Sequence, residues 1–457
     1  MTKYFRESSA RAYITEVCLA YLLELDHGLS LSELRKKYPL AQYAARYWIY
    51  HAARAETQIF HELLKEFWDC KISYTTCCHL YNPDFPTEHE PESFETEAVS
   101  VLYYAAHGGL FYAVEELLKE GVDINEKSGF YGGALQAASF NNHKEIVQYL
   151  LDNGADINAQ GGSYGNALQV ASLKGNQGIV QLLLDNGADI NARGGHLGNA
   201  LQAVSYYGNP YIVQLLLDNG ADVNAQGGLY GSALQAASYS GKQDVVQLLL
   251  DTGAEINAQG GLYGNALQAA SYYGNQDVVQ LLLDTGADIN TQVGSYGNAI
   301  QAASLEGNQD IVKLLLDNGA DINAQGGDYN TALQAASYYG HQNVVKLLLD
   351  NGADINAQGG ELGNSLIAAS DSGHKEIVHL LLQNSAQISA EINDGWTPLS
   401  RATLNGHTEV VKLFIDTTDI DLDLRHPHSG RTALSIAAEN GHISILKLLL
   451  AQSETAM

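Results

Sequence analysis

The stretch from Gly260 to Asn290 reads Gly-Gly-Leu-Tyr-Gly-Asn-Ala-Leu-Gln-Ala-Ala-Ser-Tyr-Tyr-Gly-Asn-Gln-Asp-Val-Val-Gln-Leu-Leu-Leu-Asp-Thr-Gly-Ala-Asp-Ile-Asn, and copies of it fill most of the chain. Aligned on Leu267, the copies place Leu102, Leu135, Leu168, Leu201, Leu234, Ile300, Leu333, Leu366 and Leu399 at steps of 33 residues, and Leu434 follows after 35. A repeat of this length is one supersecondary unit that buries its apolar face only against its neighbours. The period therefore predicts one long stack, where length alone would imply about three separate domains.

Each position in the unit has a mechanical reason. Ala and Ser in Leu-Gln-Ala-Ala-Ser let neighbouring first helices approach closely, and Val-Val-Gln-Leu-Leu-Leu gives the second helix its apolar stripe. Asn176, Asn209, Asn275 and Asn308 stand just before second helices, where an Asn side chain is expected to cap free amides, and Asp244, Asp277 and Asp310 suit the positive dipole end. Gly187, Gly220, Gly253, Gly286 and Gly319 follow the last turn, where glycine enters the left-handed conformation cheaply.

Outward from the repeats, residues 1–92 carry no period and read as a small helical domain. Ala10 to Asp26 spaces Ile14, Val17, Cys18, Tyr21, Leu22 and Leu25 as a helix stripe; Ser32 with Arg35, and Pro39 before Leu40 to Ala55, mark two further helix starts; Thr57 to Trp68 repeats the pattern. Asn82 to Glu92, with three prolines and four acidic residues, reads as a linker, so the domain boundary is placed at 92/93 and the array runs from 93 to 457. The first repeat replaces the consensus with Val101-Leu102-Tyr103-Tyr104-Ala105-Ala106, bulky residues that point to coverage by the N-terminal helices.

Charge and composition limit the function classes. The formal charge of −28 argues against nucleic acid, because phosphate recognition depends on clustered Lys and Arg. Between Ala134 and Ser385 there are 23 Asp or Glu against 7 Lys or Arg. These carboxylates form a solvated flank that keeps a long array soluble, or else a site for a basic partner. No apolar run is long enough to span a membrane, and the N-terminus lacks the apolar core of a secretory signal, so an intracellular, cytoplasmic protein is expected. Cys18, Cys70, Cys77 and Cys78 all fall in the first 78 residues and read as reduced thiols.

The helix pair, the Gly-Ala-Asp-Ile-Asn exit and a Thr-Pro-Leu-His-like entry together make residues 94–452 resemble the ankyrin-repeat family. That resemblance implies an all-α solenoid of about 11 repeats behind the N-terminal helical domain. The family's Thr-Pro-Leu-His is intact nowhere; most units have Asn-Ala-Leu-Gln, starting at Asn166, Asn199 and Asn265, or a near variant of it, and units ten and eleven have Thr397-Pro398-Leu399-Ser400 and Thr432-Ala433-Leu434-Ser435. Glutamine can still donate and accept where histidine would. The Ala-Gln-Gly-Gly-x-Tyr-Gly-Asn-Ala-Leu-Gln dialect, with Tyr21-Leu22-Leu23-Glu24-Leu25 and the segment Tyr38 to Trp48, resembles the C-terminal parts of fungal NACHT-ankyrin proteins of the NOD-like receptor type. This implies a sensor fragment of an NTPase switch, although no Gly-x-x-x-x-Gly-Lys-Ser/Thr phosphate cradle occurs.

No catalytic constellation is expected, since identical copies cannot bring a nucleophile, a base and an oxyanion partner together, and His-Glu-x-x-His does not occur. Glycine pairs such as Gly260-Gly261 read as hairpin turns. Cys70, Cys77, Cys78 and His79 concentrate soft ligands, but adjacent cysteines chelate poorly and core packing is the expectation; no metal and no cofactor are expected.

In the ankyrin frame the hairpin residues and the ends of the first helices face the concave side. Hairpins carry Tyr131, Tyr164, Tyr230, Tyr263, Tyr296 and Tyr329, with Leu197 and Leu362 in two units. The helix ends carry Phe140, Leu173, Tyr206, Tyr207, Tyr239, Tyr272, Tyr273, Leu305, Tyr338 and Tyr339. For the hairpin tyrosines two readings stand: a ladder that holds units in register, or a binding stripe. The helix-end stripe varies between near-identical units, which is how recognition surfaces are diversified, and tyrosine gives large contact area at low entropy cost. The expected function is a non-enzymatic scaffold that binds a partner protein on these tyrosines in an acidic groove.

Overall fold

Helices of seven to ten residues are too short to persist alone, and the repeat array is built almost entirely from them, paired and stacked. The computed structural model describes residues 2–55, 61–82, 84, 99–389, 395–417, 419–427 and 429–455. Among these are 27 helices and no strand; extended pairing is limited to hairpin bridges such as Gly161 with Gly165. The array is an all-α ankyrin-type solenoid preceded by an N-terminal helical region. By internal packing the chain divides into two compact units, residues 1–222 and 223–457.

The first unit opens with α1 (Thr2–Leu23), α2 (Leu31–Lys37), α3 (Ala41–Ala53), α4 (His61–Asp69) and α5 (Lys71–Leu80). α1 packs on α3, and Leu19, Leu22, Trp48 and Phe67 are fully buried. The cap of α2 is Ser30, not Ser32: Ser30 is extended (φ −65°, ψ 159°), accepts from Glu33 N–H and closes a capping box with the Glu33 carboxylate. α5 was not anticipated, although Tyr74, Cys77 and Cys78 have helical spacing; these residues are buried. Of the expected linker only Asn82 and Asp84 are described, and the boundary at 92/93 lies outside the described residues.

The first repeat, α6 (Val101–Gly108) and α7 (Phe111–Lys119), explains its departure from consensus. Tyr104 is fully buried, stacked on Trp48 (centroids 5.9 Å, 5° apart) and edge-on to Tyr74 (5.7 Å). The N-terminal helices thus cover the end of the array that lacks a sister repeat. Asp84 is buried beside them, accepting from the Tyr103 hydroxyl and from Phe130 N–H (2.9 Å), with His107 Nε2 at 4.0 Å. Burial raises the Asp84 carboxyl and lowers His107 to about 4.

Three further helix pairs complete the first unit, and seven make up the second. First helices pack closely on one another through Ala236, Ala237, Ala269 and Ala270, all fully buried, while second helices touch less. Gly286 leaves its helix left-handed (φ 95°), as the sequence required.

The glutamine of Asn-Ala-Leu-Gln ties successive units together. Gln268 Oε1 accepts from Asn265 N–H (2.9 Å) in a capping box, while its Nε2 donates to the carbonyls of Val293 (3.2 Å) and Gly297 (2.5 Å) in the next hairpin. Gln169, Gln235, Gln301 and Gln334 make the same donations forward. At the other edge Asn257 Oδ1 accepts from Asp288 N–H (2.9 Å), and Asn290 from Asp321 N–H (2.8 Å).

One expectation is corrected. Of the asparagines before second helices only Asn209 caps its own helix, accepting from Tyr211 N–H (3.2 Å) and Ile212 N–H (3.3 Å). Asn176, Asn275 and Asn308 make no such bond. Asn275 Nδ2 instead donates backward to the carbonyls of Ser238 (2.9 Å) and Tyr239 (2.8 Å). With ψ near 73° Asn275 is not in the extended geometry that an N-cap needs, and the unpaired carbonyls ending the preceding first helix take its donor. His341 and His374 serve the same end, donating to Leu305 O (2.8 Å) and Tyr338 O (2.9 Å).

Candidate functional site

Hairpin geometry fixes the tyrosines. Leu262 N–H donates to Leu229 O (3.0 Å), and a Cβ on Gly261 (φ 64°) would lie 2.3 Å from the Tyr230 carbonyl. Only glycine permits that approach, so Gly260-Gly261 is a packing turn with no lysine to hold phosphate. Backbones this close set the rings of adjacent hairpins over one another.

In the second unit Tyr230 and Tyr263 stack at 6.4 Å and 16°, and Tyr263 and Tyr296 at 5.7 Å and 7°. The helix-end rings do not form a separate stripe; they wedge between the hairpin rings. Tyr239 sits 4.7 Å from Tyr230 and 4.9 Å from Tyr263, and Tyr272 sits 5.5 Å from Tyr263 and 4.8 Å from Tyr296. Tyr329 and Tyr338 meet at 5.9 Å. These contacts lie in the range in which tilted aromatic pairs attract.

The first unit repeats the motif. Tyr131 stacks on Tyr164 at 6.3 Å and packs against Phe140 at 4.0 Å; Tyr206 and Tyr207 lie edge to face at 5.0 Å. Lys174 Nζ stands 4.1 Å over the Phe140 ring.

Exposure sorts the tyrosines. Tyr131 and Tyr230 are buried; Tyr164, Tyr206, Tyr239, Tyr263, Tyr272, Tyr296, Tyr329 and Tyr338 are half-buried. Tyr207, Tyr273 and Tyr339, at one register in alternate units, are 47%, 42% and 42% exposed. Tyr273 accepts from the Tyr239 hydroxyl (2.7 Å) and shares a bond with Tyr263 (3.1 Å), and Tyr339 hydrogen-bonds Tyr329. Partial burial, then hydroxyl pairing, pushes Tyr273 and Tyr329 above the ordinary phenol range; for Tyr272, Glu306 adds to the burial effect. The rings are thus neutral hydrogen-bonding phenols.

Glu306, Asp328 and Glu361 lie exposed on the hairpins and first-helix ends of the second unit; they break the repeat instead of following it, so the 33-residue period does not point to them. A cavity in the first unit, about 460 Å³, lies between its N-terminal helices and first repeat, and its walls include Leu19, Ala52, Leu64, Trp68, Phe111 and Leu117. Among the described residues no three His, Cys, Asp or Glu cluster as a metal site would require, and no helix is long and apolar enough to cross a membrane. Burial pushes the Cys78 thiol up to about 12 and Cys77 higher, which disfavours the thiolate that a metal binds.

The chain is similar to "Azaphilone pigments biosynthesis cluster protein L" of Monascus ruber, 38% identical over 155 residues, covering 30% of this chain and 33% of that protein. The similarity thus spans about a third of that relative's length. The family described as "Ankyrin repeats (3 copies)" matches residues 102–194, 200–293, 293–359 and 365–456, nearly the whole array of helix pairs. With the paired helices, glycine-turned hairpins and interlocking units set out above, this coverage establishes that the chain belongs to the ankyrin-repeat family.

Proposed function

We propose that the chain is a non-enzymatic interaction scaffold that binds a partner protein on its acidic, tyrosine-lined face. Ankyrin repeats generally mediate protein–protein interaction, and the observation that carries this reading to particular residues is the exposure of Tyr273 and Tyr339. Each leaves 42% of its surface to solvent although it sits on a ladder of rings that already pack together. Exposed rigid aromatic rings on a fixed scaffold suit hot spots of recognition. Tyr230, Tyr263 and Tyr296, stacked beneath, hold register, so the ladder and the binding surface occupy different rings. The four cysteines are free thiols, three of them buried, which supports an intracellular setting. Affinity capture with Tyr273→Ser/Tyr339→Ser tests the reading: a bound protein lost by the variant supports it, and identical capture opposes it.

The fungal NACHT-ankyrin similarity of Tyr21 to Leu25 and Tyr38 to Trp48 supports a second reading, a sensor part of an NTPase switch. An in-frame Walker sequence in the DNA preceding Met1 would favour it.

A further inference from the structure

We infer that the partner presents arginines to the tyrosine face of the second unit, in an extended segment laid across successive hairpins; the inference rests on the scaffold reading and names the partner's chemistry. Among the described residues of the repeats, the protein already holds its own cations on aromatic rings at two places. In the first unit Lys174 lies 4.1 Å over Phe140, at the register that Tyr273, Glu306 and Tyr339 occupy in the second. Near the end of the second unit the Arg401 guanidinium lies 5.3 Å over Trp396 and 3.5 Å from Asp371, itself in register with Tyr272 and Tyr338. An aromatic ring on this face thus seats a cation in both cases, and at Arg401 a carboxylate beside the ring completes the seat.

Between those two internal cations the same elements recur with the cation missing. From Ala254 to Ser372 the only Lys or Arg residues are Lys313 and Lys346, both on second helices (Gln309–Asp317 and Gln342–Asp350), not on hairpins or first helices. The exposed rings Tyr273 and Tyr339 bracket Glu306 at one register, and Asp328 and Glu361 occupy successive hairpin tips. Glu306 thus stands beside Tyr272 and Asp328 beside Tyr329, and Glu361 continues the run of carboxylates at the next hairpin tip, with no Lys or Arg on the hairpins or first helices of residues 254–372. Geometry fixes the spacing of the ligand. In the polyproline II conformation three residues make one turn and advance about 9 Å, returning to the same face, close to the roughly 8–10 Å between packed helices, so arginines three apart meet one unit each. Arginine suits the seat better than lysine, since its planar guanidinium stacks on a ring while forking to a carboxylate.

The experiment uses the full chain and a short fluorescent peptide with arginine at every third position among Gly and Ser, read by polarisation at physiological salt. Replacing each arginine with citrulline, which keeps shape and removes charge, should weaken binding about tenfold or more. Glu306→Gln/Asp328→Asn/Glu361→Gln should do likewise, while Asp251→Asn/Asp284→Asn/Asp317→Asn, which removes the same charge from second-helix ends, should cost less than about twofold. Should the first triple variant lose its fold, Glu361→Gln alone, at an exposed tip, gives the same comparison. Equal binding of the citrulline peptide, or equal weakening by both triple variants, overturns the inference. Either result leaves the scaffold reading standing if Tyr273→Ser/Tyr339→Ser still loses its captured partner; loss of the arginine peptide with unchanged capture would separate the two the other way.

Discussion

At the scale of single residues, the most informative side chain is the buried glutamine. Gln268 supplies an acceptor to its own helix start and a donor to the next hairpin, so one side chain both caps and couples. Gln268→Leu keeps the volume and removes both functions, leaving Asn265 N–H without its acceptor and the Val293 and Gly297 carbonyls without the Gln268 donor, although Gly297 O keeps Val293 N–H (2.7 Å); the cost should be about 3 kcal/mol. That predicts amide exchange about a hundredfold faster in hairpins 260–264 and 293–297, and unchanged exchange would contradict it. The sequence showed that glutamine could replace histidine, but not that it would bond in two directions, because the second partner lies in another repeat. The same holds for Asn275: a lone Asn before a helix looks like a cap, and only the backbone angle and the neighbouring carbonyls reveal that it caps the preceding unit.

At the scale of elements, the first helices depend on close approach. Ser238, Ser271, Ser304 and Ser337 are fully buried, and their hydroxyls have no partner. Serine matches alanine in allowing proximity but brings a desolvated hydroxyl and weaker helix propensity. Ser271→Ala should therefore stabilise by about 1 kcal/mol, seen as slower exchange in residues 266–272; a loss of stability would mean that the hydroxyl is bonded. The helix pairs and their turns were legible in full from the 33-residue period, since burial pattern and glycine placement are local properties. The wedging of Tyr239 and Tyr272 between hairpin rings was not, since two stripes separated in sequence merge only when hairpins stack.

At the scale of whole units, the first unit carries an acid-sensitive seam where its N-terminal helices meet the array. His107, packed between Tyr103 and Tyr131, is lowered by burial to about 4, and His143, whose ring donates to His107 O, is lowered too. A depressed histidine contributes stability above its ordinary value of 6.5 that is lost as pH falls through the folded value. The first unit should lose about 3 kcal/mol between pH 6.5 and 4 from His107, offset in part near the lower end by the raised Asp84 carboxyl. Stability followed across that range should flatten in His107→Asn; an equally steep profile would place the effect elsewhere. From the sequence, the bulky first repeat revealed that its end is covered, whereas Asp84, in a stretch that reads as linker, gave no sign of being buried.

On the proposed function, the exposed rings of the second unit serve recognition and the stacked rings beneath them hold register. Quantitative affinity capture from native lysate, with thermal melting of the same samples, separates the two. Tyr273→Ser/Tyr339→Ser should melt within a degree or two of wild type and lose a stoichiometric partner, while Tyr239→Ser/Tyr272→Ser should lower the melting of the second unit. Undiminished capture by a well-folded Tyr273→Ser/Tyr339→Ser variant would contradict the account.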